Sequence, residues 1–191
     1  METIPQDAMS TILERKSVHH YTGQKIGIEA IDRILHAAMA APAAVQMMPW
    51  EFIVITDDKI LHSLAAGLPF AQMLPEAGTA VVVCAEPGKA AMGKEEFAVL
   101  DSACASENIL LAAEALGFGA VWTAIYPDKG LIKFVRQQLQ IPVNIIPLNI
   151  IPIGYPTGED KVRDKYDPAL IHWEKWQGTL ITLSENNLHG K

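Results

Sequence analysis

Cysteine is scarce in this sequence: the 191 residues contain 2 Cys, with no Cys-x-x-Cys pair and no Cys/His cluster at zinc spacing. Neither a disulfide scaffold nor a structural zinc site is therefore expected. Twelve Pro and 13 Gly are too few and too scattered for a collagen repeat or a low-complexity chain. Positive charge is in deficit, since 15 Lys+Arg against 22 Asp+Glu give a formal net charge of -7. That balance supplies no broad field for phosphate backbones or acidic lipid, so nucleic acid and membrane surfaces are not expected partners. A long uninterrupted hydrophobic run is missing too. The stretch Val99 to Val121 is broken by Asp101, Glu107, Asn108 and Glu114, whose burial in lipid is costly, and reads as a buried helix of a soluble protein. The first segment, METIPQDAMSTILERKS, carries Glu2, Asp7 and Glu14 and lacks the apolar core of a signal peptide, which predicts a cytoplasmic chain.

Several catalytic signatures are also absent: there is no G-x-S-x-G, no H-E-x-x-H and no P-loop. GFGAVW, near Gly117, follows a helix and lacks the third glycine of a dinucleotide loop. Of the six His only His19 and His20 are neighbours, and on an extended segment their side chains point to opposite faces, so no metal is expected.

What is present is 50% hydrophobic residues and 19% charged residues, the composition of one domain spanning 1–191. Apolar spacing predicts a helix from Asp7 to Glu14 and an amphipathic helix over IGIEAIDRILHAAMAA, stopped before Pro42. EFIVIT and TAVVVCA read as strands, the second as a central strand covered on both faces. Between them Asp57 or Asp58 caps a helix through Leu64 and Ala65. Phe97 to Leu116 forms a helix rich in Ala and Ser, ended by Gly117. GAVWTAIYP is strand or loop, Asp128 starts a helix through Leu139, and IPLNIIPIGYP is a strand punctuated by Pro147 and Pro152. From Thr157 onward the chain is polar and irregular except for IHWEKW. Cys84 and Cys104 are expected as small core residues. The fold class is α+β, a central mixed sheet flanked by helices.

Charge is unevenly placed. Arg15, Lys16, His19, His20 and Lys25 cluster early, and Lys161, Arg163 and Lys165 cluster late. Brought together they would form a local anion site; left apart they are two solvated loops.

RKSVHHYT, AAPAAVQMMPWEFIVI, LGFGAVWTAIYP and IIPIGYP with KVR behind it, in this order and at these intervals, resemble the nitroreductase family over nearly the whole chain. The resemblance implies FMN bound between the subunits of an intertwined homodimer. It also implies a ping-pong reaction in which NAD(P)H reduces the flavin and an acceptor such as a nitroaromatic or quinone reoxidises it. By position, Arg15, Lys16 and Ser17 would hold the FMN phosphate or ribityl chain, with Lys161 and Arg163 closing the phosphate site. Pro42, Ala43, Gln46 and Met48 would lie along the polar edge of the flavin. A backbone N–H near Thr123 and Ala124 would face flavin N5, and Pro152, Ile153 and Gly154 would pack along one ring face. No side chain is expected as an obligatory acid or base, because hydride passes directly to N5. Residues 167–191, with Trp173 and Trp176, would form a C-terminal arm wrapping the partner subunit. The remaining readings are a flavin carrier or sensor without nicotinamide turnover, and flavin chemistry such as reductive dehalogenation under a lid at Gly67–Thr79 or Glu86–Glu95.

The chain departs from the family pattern at His19, where Arg or Lys is usual, and at Ala43, Gln46 and Met48, which stand for Ser, Asn and Gln. Histidine is only partly charged near neutral pH. The resemblance places this residue close to the pyrimidine side of the flavin, where negative charge accumulates on reduction, so the midpoint potential is expected to vary more steeply with pH, between about 5.5 and 7.5, than in His19→Arg. Parallel potential-versus-pH curves for the two proteins would refute this.

Overall fold

A computed structural model describes residues 7–176 and shows, among them, six α-helices and five β-strands. The first helix, α1 (Ala8–Glu14), is capped by the Asp7 carboxylate, which accepts the Ser10 N–H at 2.9 Å. α2 (Ile28–Met39) buries Ile31, Ile34 and Ala38 and exposes Asp32, Arg33 and His36, as its 3.6-residue periodicity dictates. β1 (Trp50–Ile55) leads into α3 (Asp58–Gly67), where the Asp57 carboxylate accepts the N–H groups of Lys59 and Ile60. The short α4 (Leu74–Ala77) precedes β2 (Ala80–Ala85). The 21-residue α5 (Glu95–Ala115) is followed by β3 (Gly119–Ala120) and β4 (Thr123–Ala124). α6 (Lys129–Leu139), capped by Asp128, leads to β5 (Ile146–Gly154).

The sheet runs β1-β2-β5, with β3 and β4 both paired to β5. All these strand pairs are antiparallel, and among the described residues parallel pairing is confined to an isolated bridge between Ser17 and Ala120. β2 is buried from end to end, as its continuous run of apolar residues predicts. Its alternation sends Val82 and Cys84 to one face and Val81 and Val83 to the other. On the first face they join Leu61 and Leu64 of α3, Leu68 just after it, Val135 of α6 and Ile150 of β5. On the second they meet Ile31 and Ile34 of α2, Ile109 and Ala113 of α5 and Ile151 of β5. Pro147 lacks a ladder donor, and the β2–β5 register shifts next to it, between Val83 and Cys84.

Two expectations change. Cys84 is buried as expected, but Cys104 is exposed on the outward side of α5 beside Leu100, which is 61% exposed. α5 is apolar on nearly every side, so a small residue on it carries no signal of which side faces inward. IHWEKW forms no helix or strand, and Trp173 and Trp176 are exposed. The proposed arm therefore lies partly in an exposed segment and partly, from 177 to 191, outside the described residues.

Candidate functional site: a basic cleft anchored to one helix

Residues 17–22 run between β3 and the chain that leaves β5. The Val18 N–H donates to the Ala120 carbonyl at 3.1 Å, the Thr22 N–H to the Tyr155 carbonyl at 2.9 Å, and the Thr157 N–H to the His20 carbonyl at 3.0 Å. Tyr21 is buried and its hydroxyl donates to the Val18 carbonyl at 2.8 Å and the Pro152 carbonyl at 3.4 Å. Burial pushes that hydroxyl well above the ordinary tyrosine range, so it stays a protonated donor holding the segment in place.

This pairing brings the two basic clusters together. Arg15, Lys16, Ser17 and His19 from the first, and Glu159, Asp160, Lys161, Arg163 and Lys165 from the second, line one cleft of ≈ 550 Å³. Five cationic side chains face two carboxylates there. Arg15 Nε lies 3.4 Å from Glu107 of α5, and Lys16 Nζ lies 3.1 Å from Glu114 of α5. Lys161 Nζ donates to the Gly158 carbonyl at 3.1 Å. Among the described residues Arg163 and Lys165 have no carboxylate partner. Five converging cations, two of them without a carboxylate partner among the described residues, suit an anion with several acceptor oxygens, such as a phosphate monoester, which Arg contacts through a planar fork of donors. Asp160 does not cancel them as a bare charge. Burial alone would raise its pKa, but the N–H groups of His19 and His20 and the His20 ring hold it below the usual carboxylate range.

α5 also fixes the other candidate residues. The buried Asp101 accepts the Ala44 N–H at 3.1 Å and pins the loop between α2 and β1. That loop holds two consecutive non-glycine residues in the left-handed region, Val45 at φ 48° and Gln46 at φ 60°. Such strain persists only where surrounding contacts hold it. Ser106 accepts from Asn149 Nδ2 of β5 at 2.8 Å, and Asn149 pairs with Ala124 of β4. At 1.5 Å rise per residue, Asp101 stands about 9 Å along the axis from Glu107 and about 20 Å from Glu114. Loop, strand pair and cleft are thus spaced along one rod, on the scale of an elongated ligand.

Of the residues expected from sequence, Arg15, Lys16, Ser17, His19, Lys161 and Arg163 share the cleft. Pro42, Gln46 and Met48 lie on the α2–β1 loop with exposed side chains, and Ala43 is half-buried there. Thr123 is buried and Ala124 exposed on β4. Pro152, Ile153 and Gly154, expected along a ring face and not at the phosphate end, lie buried on β5 away from the cleft. The strand's two-residue alternation turns Ile153 into the core with Ile31 and Ile34. Gly154 meets the Ala77 carbonyl, which leaves no room for even a Cβ. Asp160, Asp101, Tyr21 and Asn149 were not legible as site residues. Nothing local marks a carboxylate that will accept N–H groups 140 residues away. Lys165 belonged to the late basic cluster, and its spacing from Arg163 was the available signal.

The sequence profile of the Nitroreductase family matches residues 12–74 and 62–155. The chain belongs to the nitroreductase family. A relative from Methanothermobacter thermautotrophicus is 39% identical over 170 residues, covering 89% of this chain and 88% of its own, and carries the provisional name NADH dehydrogenase/NAD(P)H nitroreductase. A crystal structure from Parabacteroides distasonis with the same provisional name is 44% identical, covers 90% of this chain and 99% of its own, and superposes with a TM-score of 0.84. The FMN reductase (NADPH) of Bacillus subtilis is 25% identical over 187 residues, 88% of this chain and 73% of its own. As in other nitroreductase-family chains, the fold is a sheet flanked by helices, and the family match takes in Arg15–Ser17, the α2–β1 loop, β4 and β5. Lys161 and Arg163 lie beyond the matched residues, so their place in the cleft rests on the geometry alone.

Proposed function

We propose that this chain is an FMN-dependent oxidoreductase that takes hydride from NAD(P)H and passes two electrons to a small-molecule acceptor such as a nitroaromatic or quinone, by a ping-pong mechanism. The observation that carries the reading is the convergence of Arg15, Lys16, Ser17, Lys161 and Arg163 in one cleft of a nitroreductase-family chain. The cleft's excess of cations fits the FMN phosphate, and Ser17 adds a hydroxyl donor. When bound, FMN supplies the two-electron redox chemistry that no side chain here possesses. The protein's own contribution is position and field. Arg15 and Lys16 are oriented by Glu107 and Glu114, and the cleft cations hold one end of the cofactor. The strained α2–β1 loop and β4 would border the ring, with Gln46 as the side chain able to donate to its polar edge.

The same reading includes a homodimer. α5 leaves Leu100 and Cys104 open, the α2–β1 loop leaves Val45, Met47 and Met48 open, and α1 leaves Met9, Ile12 and Leu13 open. An apolar surface of this kind resembles a core cut in half. Residues 167–191 would act as an arm on the partner subunit, and β1, at one edge of the sheet, offers unpaired backbone groups to receive it. Among the described residues no helix is long and apolar enough to cross a membrane.

The deciding experiment is an anaerobic absorbance titration of the purified protein, first confirmed to carry FMN, with NADH and then NADPH. Bleaching within seconds and recovery on addition of a nitroaromatic or quinone supports the oxidoreductase. Bound flavin that stays oxidised with both nucleotides would replace it with a flavin carrier or sensor.

A further inference from the structure

Of the two carboxylates that line the basic cleft, Glu159 and Asp160, the second is turned away from the cations. Asp160 lines the basic cleft, directly before Lys161, yet it faces the chain on the far side rather than the cations beside it. Its Oδ2 accepts the His19 N–H at 3.0 Å and the His20 N–H at 3.2 Å, and His20 Nδ1 lies 3.3 Å from each carboxylate oxygen. The Asp160 side chain is 13% exposed, whereas residues 161 to 170 are all exposed. Upstream of it the segment is held by the Tyr155 and Thr157 backbone bonds. Among the described residues, the hydrogen bond that follows Asp160 within the cleft is the one from Lys161 back to Gly158. Asp160 is therefore the last fixed point before Lys161, Arg163 and Lys165.

We propose that Asp160 is a positioning residue of the cleft: by accepting the two adjacent N–H groups of His19 and His20, it docks the Lys161–Lys165 segment against Arg15 and Ser17. The inference rests on the reading of the cleft as the FMN phosphate site, but the docking itself does not require that ligand. Electrostatics and positioning predict opposite signs. A carboxylate that acted only through its charge would repel phosphate, so removing it would tighten binding. A carboxylate that holds the cationic segment in place makes phosphate binding weaker when it is lost. Asn keeps an oxygen that can accept both N–H groups, while Ala keeps none.

The test measures three properties of the full chain as wild type, Asp160→Asn and Asp160→Ala. Hydrogen exchange at the His19 and His20 amides reads the docking directly. Affinity for FMN and for riboflavin, which lacks the phosphate, is read by fluorescence quenching, with inorganic phosphate as competitor. Asp160→Ala is expected to exchange faster at both amides and to lose at least about tenfold in FMN affinity, the ratio that 1.4 kcal/mol represents. Its riboflavin affinity should not change. Asp160→Asn is expected to lose less FMN affinity than Asp160→Ala and to exchange more slowly at both amides, because it keeps an acceptor oxygen, and it keeps the test open if the Ala variant does not fold. FMN binding that tightens in Asp160→Ala, or FMN and riboflavin affinities that fall together, would overturn the proposal. Unchanged exchange at His19 and His20 would overturn it too. A wild type that binds no FMN, or binds it without competition from phosphate, would count against the cofactor reading instead, and the exchange data would still decide the role of Asp160.

Discussion

Replacing Gly154 by Ala tests whether the end of β5 is as tightly covered as the geometry implies. A Cβ built there would lie 2.7 Å from the Ala77 carbonyl oxygen, 3.0 Å from Tyr21 Cδ1 and 3.2 Å from Ala77 Cα. The nearest atom is backbone, at the end of α4, so no rotamer change can relieve it. Ala77 and Gly154 are both buried, and Tyr21 is fixed by its hydroxyl bond to Val18. Forcing a methyl group into such a site costs about 1–3 kcal/mol by overpacking. Gly88→Ala is the matched control, since a Cβ there meets nothing within 4 Å and the backbone is not left-handed. It should stay within about 0.5 kcal/mol of wild type. Urea unfolding of both variants as apoprotein, so that a difference in cofactor affinity does not enter through linkage, reads the two costs. If Gly154→Ala matches Gly88→Ala, the packing of α4 against β5 is looser than described and the crowding argument fails. A shift of 1–3 kcal/mol confined to Gly154→Ala confirms that this stretch of β5 is a closed wall of the fold.

Asp101→Ala removes the acceptor of the Ala44 N–H and leaves that donor unpaired, so it should destabilise by about 1–3 kcal/mol in the same assay. Asp101→Asn, which keeps an acceptor, should recover most of this, and equal losses in the two would argue against the bond. Burial pushes the Cys84 thiol up to about 12, so at pH 8 a maleimide should leave it untouched in the folded protein. Cys104 should label freely in dilute protein, slow as concentration favours the dimer, and label at all concentrations in a chain ending before Asp167; a rate independent of concentration would refute the α5 interface. The folded-state pKa of Asp160 is depressed, so its contribution is present above the unfolded value of about 3.9 and is lost as pH falls through the lower folded value. Asp160→Asn should therefore flatten the acid limb of the stability profile below about pH 4, and superimposable limbs would show that the carboxylate is not held as described.

The elements that were legible in the sequence are those in which periodicity and capping agree. α2 shows its buried stripe at Ile31, Ile34 and Ala38, and α1, α3 and α6 each follow an aspartate that caps them. β2 shows its central place through six consecutive small or β-branched residues. Tertiary contact decided the rest. β3 and β4, two residues each, exist because β5 offers an edge to Gly119–Ala120 and Thr123–Ala124, and no local propensity distinguishes them from a loop. Cys104 was misplaced because α5 has apolar residues around its whole circumference. The helix faces the sheet on one side and leaves Leu100 and Cys104 exposed on another.

The same helix explains why half the site could be read from sequence and half could not. The basic residues were visible as clusters, because Arg and Lys stand out in an acidic chain. Their partners were not visible, because the polar residues of α5 look in sequence only like interruptions of an apolar run. In the structure five of them are attachment points. Asp101 holds the Ala44 N–H, Ser106 holds Asn149, Asn108 Nδ2 donates to the Ala37 carbonyl at 2.8 Å, and Glu107 and Glu114 orient Arg15 and Lys16. A helix that had only to fill the core would bury no carboxylate. One that must fix a strained loop, a strand pair and a basic segment along a single axis has to carry polar groups at the corresponding turns, and the spacing from Asp101 to Glu114 matches that requirement.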